Sequence, residues 1–408
     1  MIRNTINLLI FISLALLPQS GFAQEECGSS VAGDTIVDGN TAFALDLYAQ
    51  LAAGSEGNLF LSPYSISTAL AMTYAGARGE TEAQMAETLH FALPQESLHE
   101  AFKKLLESQK SGGEESYELA VANALWGQKG YGFLDEFLEL TRSHYGAGLK
   151  EVDFAADSES ARRTINAWVE RETRNKIQDL IPPNSLSPLT SLVLTNAIYF
   201  KGKWEVPFEK NRTKEESFFT IGGKTIETPL MHQVDSYGYF EQDAFQALEL
   251  PYIGDALSMV IFLPREKEGL ADFEKTMTLE NLKDWTARLS RRRVIVALPK
   301  FEMTSQFSLK ETLQNMGMKD AFGGDADFSG MTAQNDLNID KVLHKAFVEV
   351  NEEGTEAAAA TGVIMARTSL SHQPRPPLFR ADHPFLFLIR DKRSGSILFL
   401  GRLVNPKA

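Results

Sequence analysis

The side chains of this 408-residue chain that could do chemistry are not spaced as a catalyst would need them. Seven histidines occur, His90, His99, His144, His232, His344, His372 and His383, and no two stand four apart. That spacing would put two imidazoles on one helical face to hold zinc. No Gly-x-Ser-x-Gly turn presents a serine nucleophile, and no glycine-rich loop is built to cradle phosphate. Gly323-Gly324-Asp325-Ala326-Asp327 resembles a calcium loop but lacks the downstream Glu, and reads as a polar turn. What remains is chemistry that the chain could undergo. Arg367-Thr368-Ser369 lies midway through a long stretch between the strand-like Ala346–Val350 and Pro384. Arg367 suits the acidic pocket of a trypsin-like protease, and Thr368 the small pocket of an elastase-like one. The chain offers a bond to be cut, which argues against an enzyme.

The stretch around that bond is built in three parts. Small residues come first, Gly354-Thr355-Glu356-Ala357-Ala358-Ala359-Ala360-Thr361; cleavable residues follow, and prolines close it. Structureless connections beyond ~12–15 residues are uncommon in compact domains and are usually functional or disordered. In a strand alternate residues share a face. From Thr355 one face would carry Thr355, Ala357, Ala359, Thr361, Val363 and Met365, small residues first and larger ones later. Glu356 falls on the other face. No proline lies between Gly354 and Leu370, so every amide there can join a ladder. Glu-Ala-Ala-Ala-Ala also has strong helix propensity, but a helix leaves the alternation unexplained.

Those elements need a scaffold, and its composition is globular: 43% hydrophobic, 23% charged, without repeats or linkers. The net charge of -14 argues against phosphate binding through a basic surface. Arg291-Arg292-Arg293, the one dense basic run, reads as a solvated strand entrance. Residues 1–23 read as a secretory signal: Arg3, an apolar core from Leu8 to Leu17, Pro18, and a small-x-small site at Gly21-Phe22-Ala23. Cleavage near Ala23 would export a chain, secreted or periplasmic, whose one cysteine, Cys27, has no internal partner. Gln24-Glu25-Glu26 are too polar for a lipoprotein signal. Asn211-Arg212-Thr213 is a glycosylation sequon.

Residues 24–40 read as a flexible terminus and 41–408 as one domain. Helices are expected over Thr41–Ala53, after a cap at Ser62 or Ser65 with Pro63 in the first turn, and around Glu82–Leu89, Leu98–Ser108, Glu136–Tyr145 and Ser158–Thr173. Strands follow at Leu192–Leu194, Ile198–Phe200, Ala247–Leu250, Ala256–Leu263, Val294–Leu298 and Asp336–Ile339. A hairpin of buried strands, Phe385–Ile389 and Ile397–Leu400, closes the chain. Helices first and strands later make an α+β fold.

Four segments, in order, resemble the serpin family of suicide-substrate protease inhibitors. They are Asn58–Ile66, Leu194–Phe208, Phe347–Ala359, and Asp382–Phe387 with Gly401–Pro406. The resemblance covers the mature chain. It implies eight or nine helices around three β-sheets and a reactive-centre loop, about residues 352–377, exposed at one pole. It also implies that a target serine protease, or a cysteine protease, acylates the loop. The cleaved loop then inserts into the largest sheet, a form of strand addition. A dozen inserted residues at ~1 kcal/mol per hydrogen bond give on the order of 10 kcal/mol, comparable to the ~5–15 kcal/mol stability of a protease domain.

Counting the family's hinge length from Glu352 places the attacked bond at Thr368-Ser369, with Arg367-Thr368 as the alternative. Ser62, Ser65, Asn196 and His344 match the family's polar cluster beneath the strands that part. Trp204, Lys300 and Glu352 match the place where the loop first enters. As an exposed ion pair Lys300–Glu352 would contribute ~0–1 kcal/mol, so Trp204 carries more weight. The segment matching the family's heparin-binding helix, Phe102 to Ser111, mixes Lys103, Lys104 and Lys110 with Glu107, which argues against a polyanion cofactor. The resemblance implies a monomer that needs no cofactor. The competing reading is a carrier protein on the same fold, cleaved as an ordinary substrate.

Overall fold

The computed structural model describes residues 22–110, 117–334, 336–355 and 375–408. Nine α-helices lie among them: α1 (Phe22–Ala53), α2 (Pro63–Tyr74), α3 (Gly79–Thr88), α4 (Gln95–Lys110), α5 (Asp135–Tyr145), α6 (Ser158–Glu172), α7 (Leu270–Glu274), α8 (Leu279–Ala287) and α9 (Lys310–Met316). The first four strands are β1 (Leu59–Leu61), β2 (Tyr117–Gln128), β3 (Leu149–Val152) and β4 (Leu192–Lys203). Then come β5 (Lys214–Phe219), β6 (Thr225–Glu241), β7 (Phe245–Pro251), β8 (Leu257–Pro264), β9 (Ser290–Pro299) and β10 (Phe301–Ser308). The last are β11 (Lys341–Asn351), β12 (Gly354–Thr355), β13 (Leu378–Arg380), β14 (Phe385–Asp391) and β15 (Ile397–Leu403).

One hydrogen-bonded sheet runs β10-β11-β12-β4-β2-β3. The other nine strands form a continuous set joined through β6, whose first half pairs with β5 and whose last residues pair with β7. The three expected sheets are thus one separate sheet and two that share the 17-residue β6.

The six-stranded sheet is buried on both faces, and strand alternation decides which residue goes where. Ala122, Ala124 and Trp126 of β2, Val193, Ala197 and Tyr199 of β4, and Leu343 and Phe347 of β11 form one apolar cluster with Ile165 and Val169 of α6. The opposite parity, Leu192, Leu194, Ile198 and Phe200 of β4 with Val342, Ala346, Val348 and Val350 of β11, joins the main core with α2 and the β14–β15 hairpin. α2 is buried along its whole length. It starts where expected: Ser62 Oγ accepts from the Ser65 amide at 3.2 Å, and Pro63 opens the first turn.

Three expectations are corrected. Residues 24–40 are not a loose terminus: α1 begins at Phe22, with Ile36 buried and Asn40 Oδ1 accepting from Ser67 Oγ of α2 at 2.6 Å. Asp336–Ile339 is no strand. Leu337 and Ile339 are buried outside any ladder, and Asp340 Oδ2 accepts from the Ser191 and Leu192 amides where β4 starts. The helices do not all precede the strands either, because β2, next to the edge strand β3 in the sheet, lies between α4 and α5 in the chain. The expected signal core, Leu8 to Leu17, lies outside the described residues.

Candidate functional site

Every feature of the site follows from one irregularity. β4 and β11 are parallel neighbours from Val193–Tyr199 against Lys341–Phe347, and beyond that they part. Into the gap comes β12, antiparallel to both: Thr355 lies opposite Gly202 and Val350, and Gly354 opposite Lys203 and Asn351. The start of the candidate loop is already a strand, held on two sides.

The gap is shaped for it. Gly354 has φ +151°, and a Cβ there would stand 2.1 Å from the Gly202 carbonyl oxygen and 2.6 Å from Lys203 Cα. A Cβ on Gly202 would meet the rings of Phe200 and Tyr252, each at 2.7 Å. Two glycines let the backbones approach. Thr355 is fully buried, its hydroxyl 2.8 Å from that of Tyr252. Tyr252 stacks on Trp204 with ring centroids 4.7 Å apart, and Trp204 Nε1 donates to the Asn351 carbonyl at 3.0 Å. The Trp204 and Phe208 amides donate to the Glu353 and Glu352 carbonyls at 3.0 and 2.7 Å, pinning the turn between β11 and β12.

Glu352 corrects a further expectation. Its side chain is 6% exposed against 37% for Lys300, whose Nζ lies 2.8 Å from Oε2, so the carboxylate half of the pair is buried. Thr213 Oγ1 donates to Oε1 at 2.8 Å. Burial works against the carboxylate, but hydrogen bonds from Lys300 and Thr213 outweigh it and hold its pKa below the usual value. Beside it, Lys210 binds Glu353 at 2.6 Å.

Lower in the seam, one row of polar side chains crosses three strands. Asn123 lies opposite Asn196, and Asn196 opposite His344, all on the α2 face. The Ser62 amide donates to His344 Nε2 at 3.1 Å, so the proton sits on Nδ1, which donates to Asn196 Oδ1. Asn196 Nδ2 donates to Ser65 Oγ at 2.6 Å and to Asn123 Oδ1 at 2.5 Å. Asn123 Nδ2 reaches the Ser65 carbonyl at 3.2 Å, and Ser62 Oγ donates to the Leu398 carbonyl at 2.6 Å. Complete burial pushes the His344 pKa down to about 3, against the opposing bond to Asn196, so the ring is neutral. The His344–Asn196 bond is the one side-chain link in this row that spans β11 and β4.

The sequence match is as extensive as the geometry. Residues 38–406 fit the family model described as serpin (serine protease inhibitor). The chain belongs to the serpin family. It shares 46% identity over 377 residues with bovine leukocyte elastase inhibitor, covering 90% of this chain and 98% of that one. Among solved serpin structures, Serpin48 of the insect Tenebrio molitor superposes with a TM-score of 0.80 at 34% identity, over 91% of this chain and 98% of that one. Human thyroxine-binding globulin gives 0.83 at 32%, over 93% and 99%.

The structure brings Ser62, Ser65, Asn196 and His344 into one network, and Trp204, Lys300, Glu352, Gly354 and Thr355 into another. Ala357, Ala358, Ala359, Ala360, Thr361, Arg367, Thr368 and Ser369 lie outside the described residues. Asn123, Thr213 and Tyr252 were not anticipated. Asn123 carried a usable signal, a polar residue in phase with Leu119, Val121 and Leu125. Thr213 and Tyr252 carried none.

Proposed function

We propose that this serpin is a secreted suicide inhibitor of serine proteases, cut at Thr368-Ser369 or Arg367-Thr368, whose loop then enters the β4–β11 seam. The observation that supports this most is the register of β12. A strand that continued from Thr355 would pair Ala357 with Phe200 and Val348, Ala359 with Ile198 and Ala346, and Val363 with Leu194 and Val342. Each of these alanines would meet a large side chain on β4, Phe200 or Ile198, which suits a gap of fixed width. Met365 would arrive opposite Leu192, the first residue of β4, and Thr368 just past the sheet.

Fourteen residues at ~3.3 Å each carry an attached protease about 45 Å from the point of attack. Insertion exchanges one parallel ladder for two antiparallel ones, the net gain behind the ~10 kcal/mol above. The protein acts as a consumed substrate and performs no catalysis of its own. Removal of residues 1–23 on export would take only Phe22 and Ala23 from α1.

The deciding experiment mixes the chain with elastase-like and trypsin-like proteases and runs denaturing gels. A complex of summed mass that survives SDS is expected with at least one. Complete loop cleavage with no such complex across the panel would replace this reading with the carrier.

A further inference from the structure

The outer face of β6 and β9 holds charge that loop insertion does not use. β9 opens with Ser290-Arg291-Arg292-Arg293, all exposed. Arg293 lies opposite Ser236, Arg292 opposite Tyr237 and Arg291 opposite Gly238. Alternation divides the run. Arg292 lies on the opposite face, still half exposed, 5.5 Å from the Tyr239 ring and 3.3 Å from Glu241. Arg291 and Arg293 share the outer face, about 7 Å apart, and neither has an ion pair among the described residues.

Arg288 joins them, stacked over Phe240 at 4.3 Å and bonded to Asp284 at 3.2 Å. Arg265 holds Glu241 at 2.7 Å, and Val234 beside the run is 40% exposed. Asp235 accepts from the Ser236 amide. On the outer face Arg288, Arg291 and Arg293 stand with Asp284 and with Glu249, which lies opposite Gly238 and is held by Arg390 at 2.6 Å. Arg265, Arg292, Glu241 and Asp235 belong to the other face, in a chain of net charge -14.

The position is as telling as the sign. β13 runs parallel to β9 with Leu378 opposite Ile295, and the Ile295 amide donates to the Pro377 carbonyl at 2.9 Å. The leg leading to β13 therefore approaches from the end of β9 where the arginines stand, and exposed Arg375 is its first described residue. Ser369 is six residues upstream, at most about 22 Å away. A protease of some 220 residues has a radius of gyration of about 17 Å, so one seated at that bond overhangs this face.

We propose that Arg291 and Arg293, with Arg288 and Val234 beside them, form an accessory contact for an acidic face of the protease that attacks the loop. This rests on the inhibitor reading. A polyanion is the poorer fit, because Asp284 beside Arg288 and Glu249 opposite Gly238 interrupt the positive field on this face, whereas a folded partner can place carboxylates between them. Electrostatic steering changes association rates by 10–10³-fold and falls with salt.

The test uses one protease with its catalytic serine changed to alanine, native or with its lysines succinylated, which makes its surface acidic without altering its pocket. Binding to the full chain is read by fluorescence anisotropy at 0.05 and 0.3 M salt, values set about a Debye length of ~10 Å at 0.1 M. Succinylation is expected to tighten binding about tenfold at low salt, and R291E/R293E to abolish that gain, with R291Q/R293Q in between. Equal affinities of the wild-type chain and R291E/R293E for the succinylated enzyme would overturn the proposal. So would no binding of either form, or retention on heparin above 0.15 M salt that R291E/R293E removes. If active protease gives no covalent complex while the inactive form still binds through these arginines, the inhibitor reading fails and the contact surface stands.

Discussion

Lowering the pH from 7.5 to 5 is expected to speed the opening of the β4–β11 seam, with His344 carrying most of the dependence. In the closed sheet, burial holds its pKa at about 3, so the ring is neutral throughout this range. Where the strands part and water reaches the ring, the value returns toward 6.5. The open state therefore binds more protons between pH 6.5 and about 3, and the closed sheet loses ground as pH falls through 6.5. The slope is about 1.4 kcal/mol per pH unit, so pH 5 favours opening by about 2 kcal/mol, roughly thirtyfold. Glu352, held below 4.5, enters only at lower pH. The assay is annealing of a peptide copying Thr355–Arg367 into the intact protein, followed by native-gel mobility at pH 7.5, 6.5, 5.5 and 5. His344→Gln keeps an amide to bond Asn196 but cannot titrate, and its annealing rate should be flat below pH 6.5. Parallel profiles for the wild-type chain and His344→Gln would refute this account of the row.

Thr355→Arg should turn inhibitor into substrate, since a cation at this buried position has no partner; a stoichiometry of inhibition unchanged by titration would count against it. Lys300→Met leaves Glu352 with Thr213 as its side-chain donor and should lower the thermal midpoint by the equivalent of about 1 kcal/mol, the part-exposed lysine limiting the loss. Glu352→Gln in the same chain should recover part of it. Cleavage by an elastase-like protease should give a new N-terminus at Ser369, detected by mass spectrometry, and Arg367→Ala should spare that reaction. A terminus at Thr368 with every inhibited protease would shift the bond by one. Loop cleavage should raise the thermal midpoint of the freed chain at fixed pH and concentration, because an added central strand outlasts the kinetic barrier that protects the intact form; an unchanged or lower midpoint would rule insertion out.

Much of the scaffold was legible because burial on both faces writes continuous apolar runs. Phe385–Ile389 and Ile397–Leu400 appear as β14 and β15 with the expected turn. β2 escaped because its α6 face is Ala120, Ala122 and Ala124, residues that favour a helix when tertiary contacts are ignored. β6 escaped because its partners change along its length, so no single alternation persists. The polar row was visible only through family likeness: Ser62, Asn196 and His344 are far apart in the chain, and register alone brings them together. Glu352-Glu353 shows the same limit at one step. Two identical acids stand side by side, and only the turn into β12 decides that one binds Lys300 and the other Lys210.

The two pairings of β12 also fix an arithmetic that reaches past the last described residue of the hinge. Across β12 and β4 paired residue numbers add to 557, and across β12 and β11 to 705. If the loop inserts in that register, Thr361 would stand opposite Asn196 on one side and His344 on the other. A growing strand cannot pass that position without breaking the His344–Asn196 bond, and the residue it delivers there carries a hydroxyl able to donate to one and accept from the other. In that register the bond an inserting loop would rupture and the hydroxyl it would bring coincide, seven residues after Gly354. Insertion or deletion of one residue in the alanine run would leave composition nearly intact and turn that hydroxyl to the α6 face, stranding two buried polar groups.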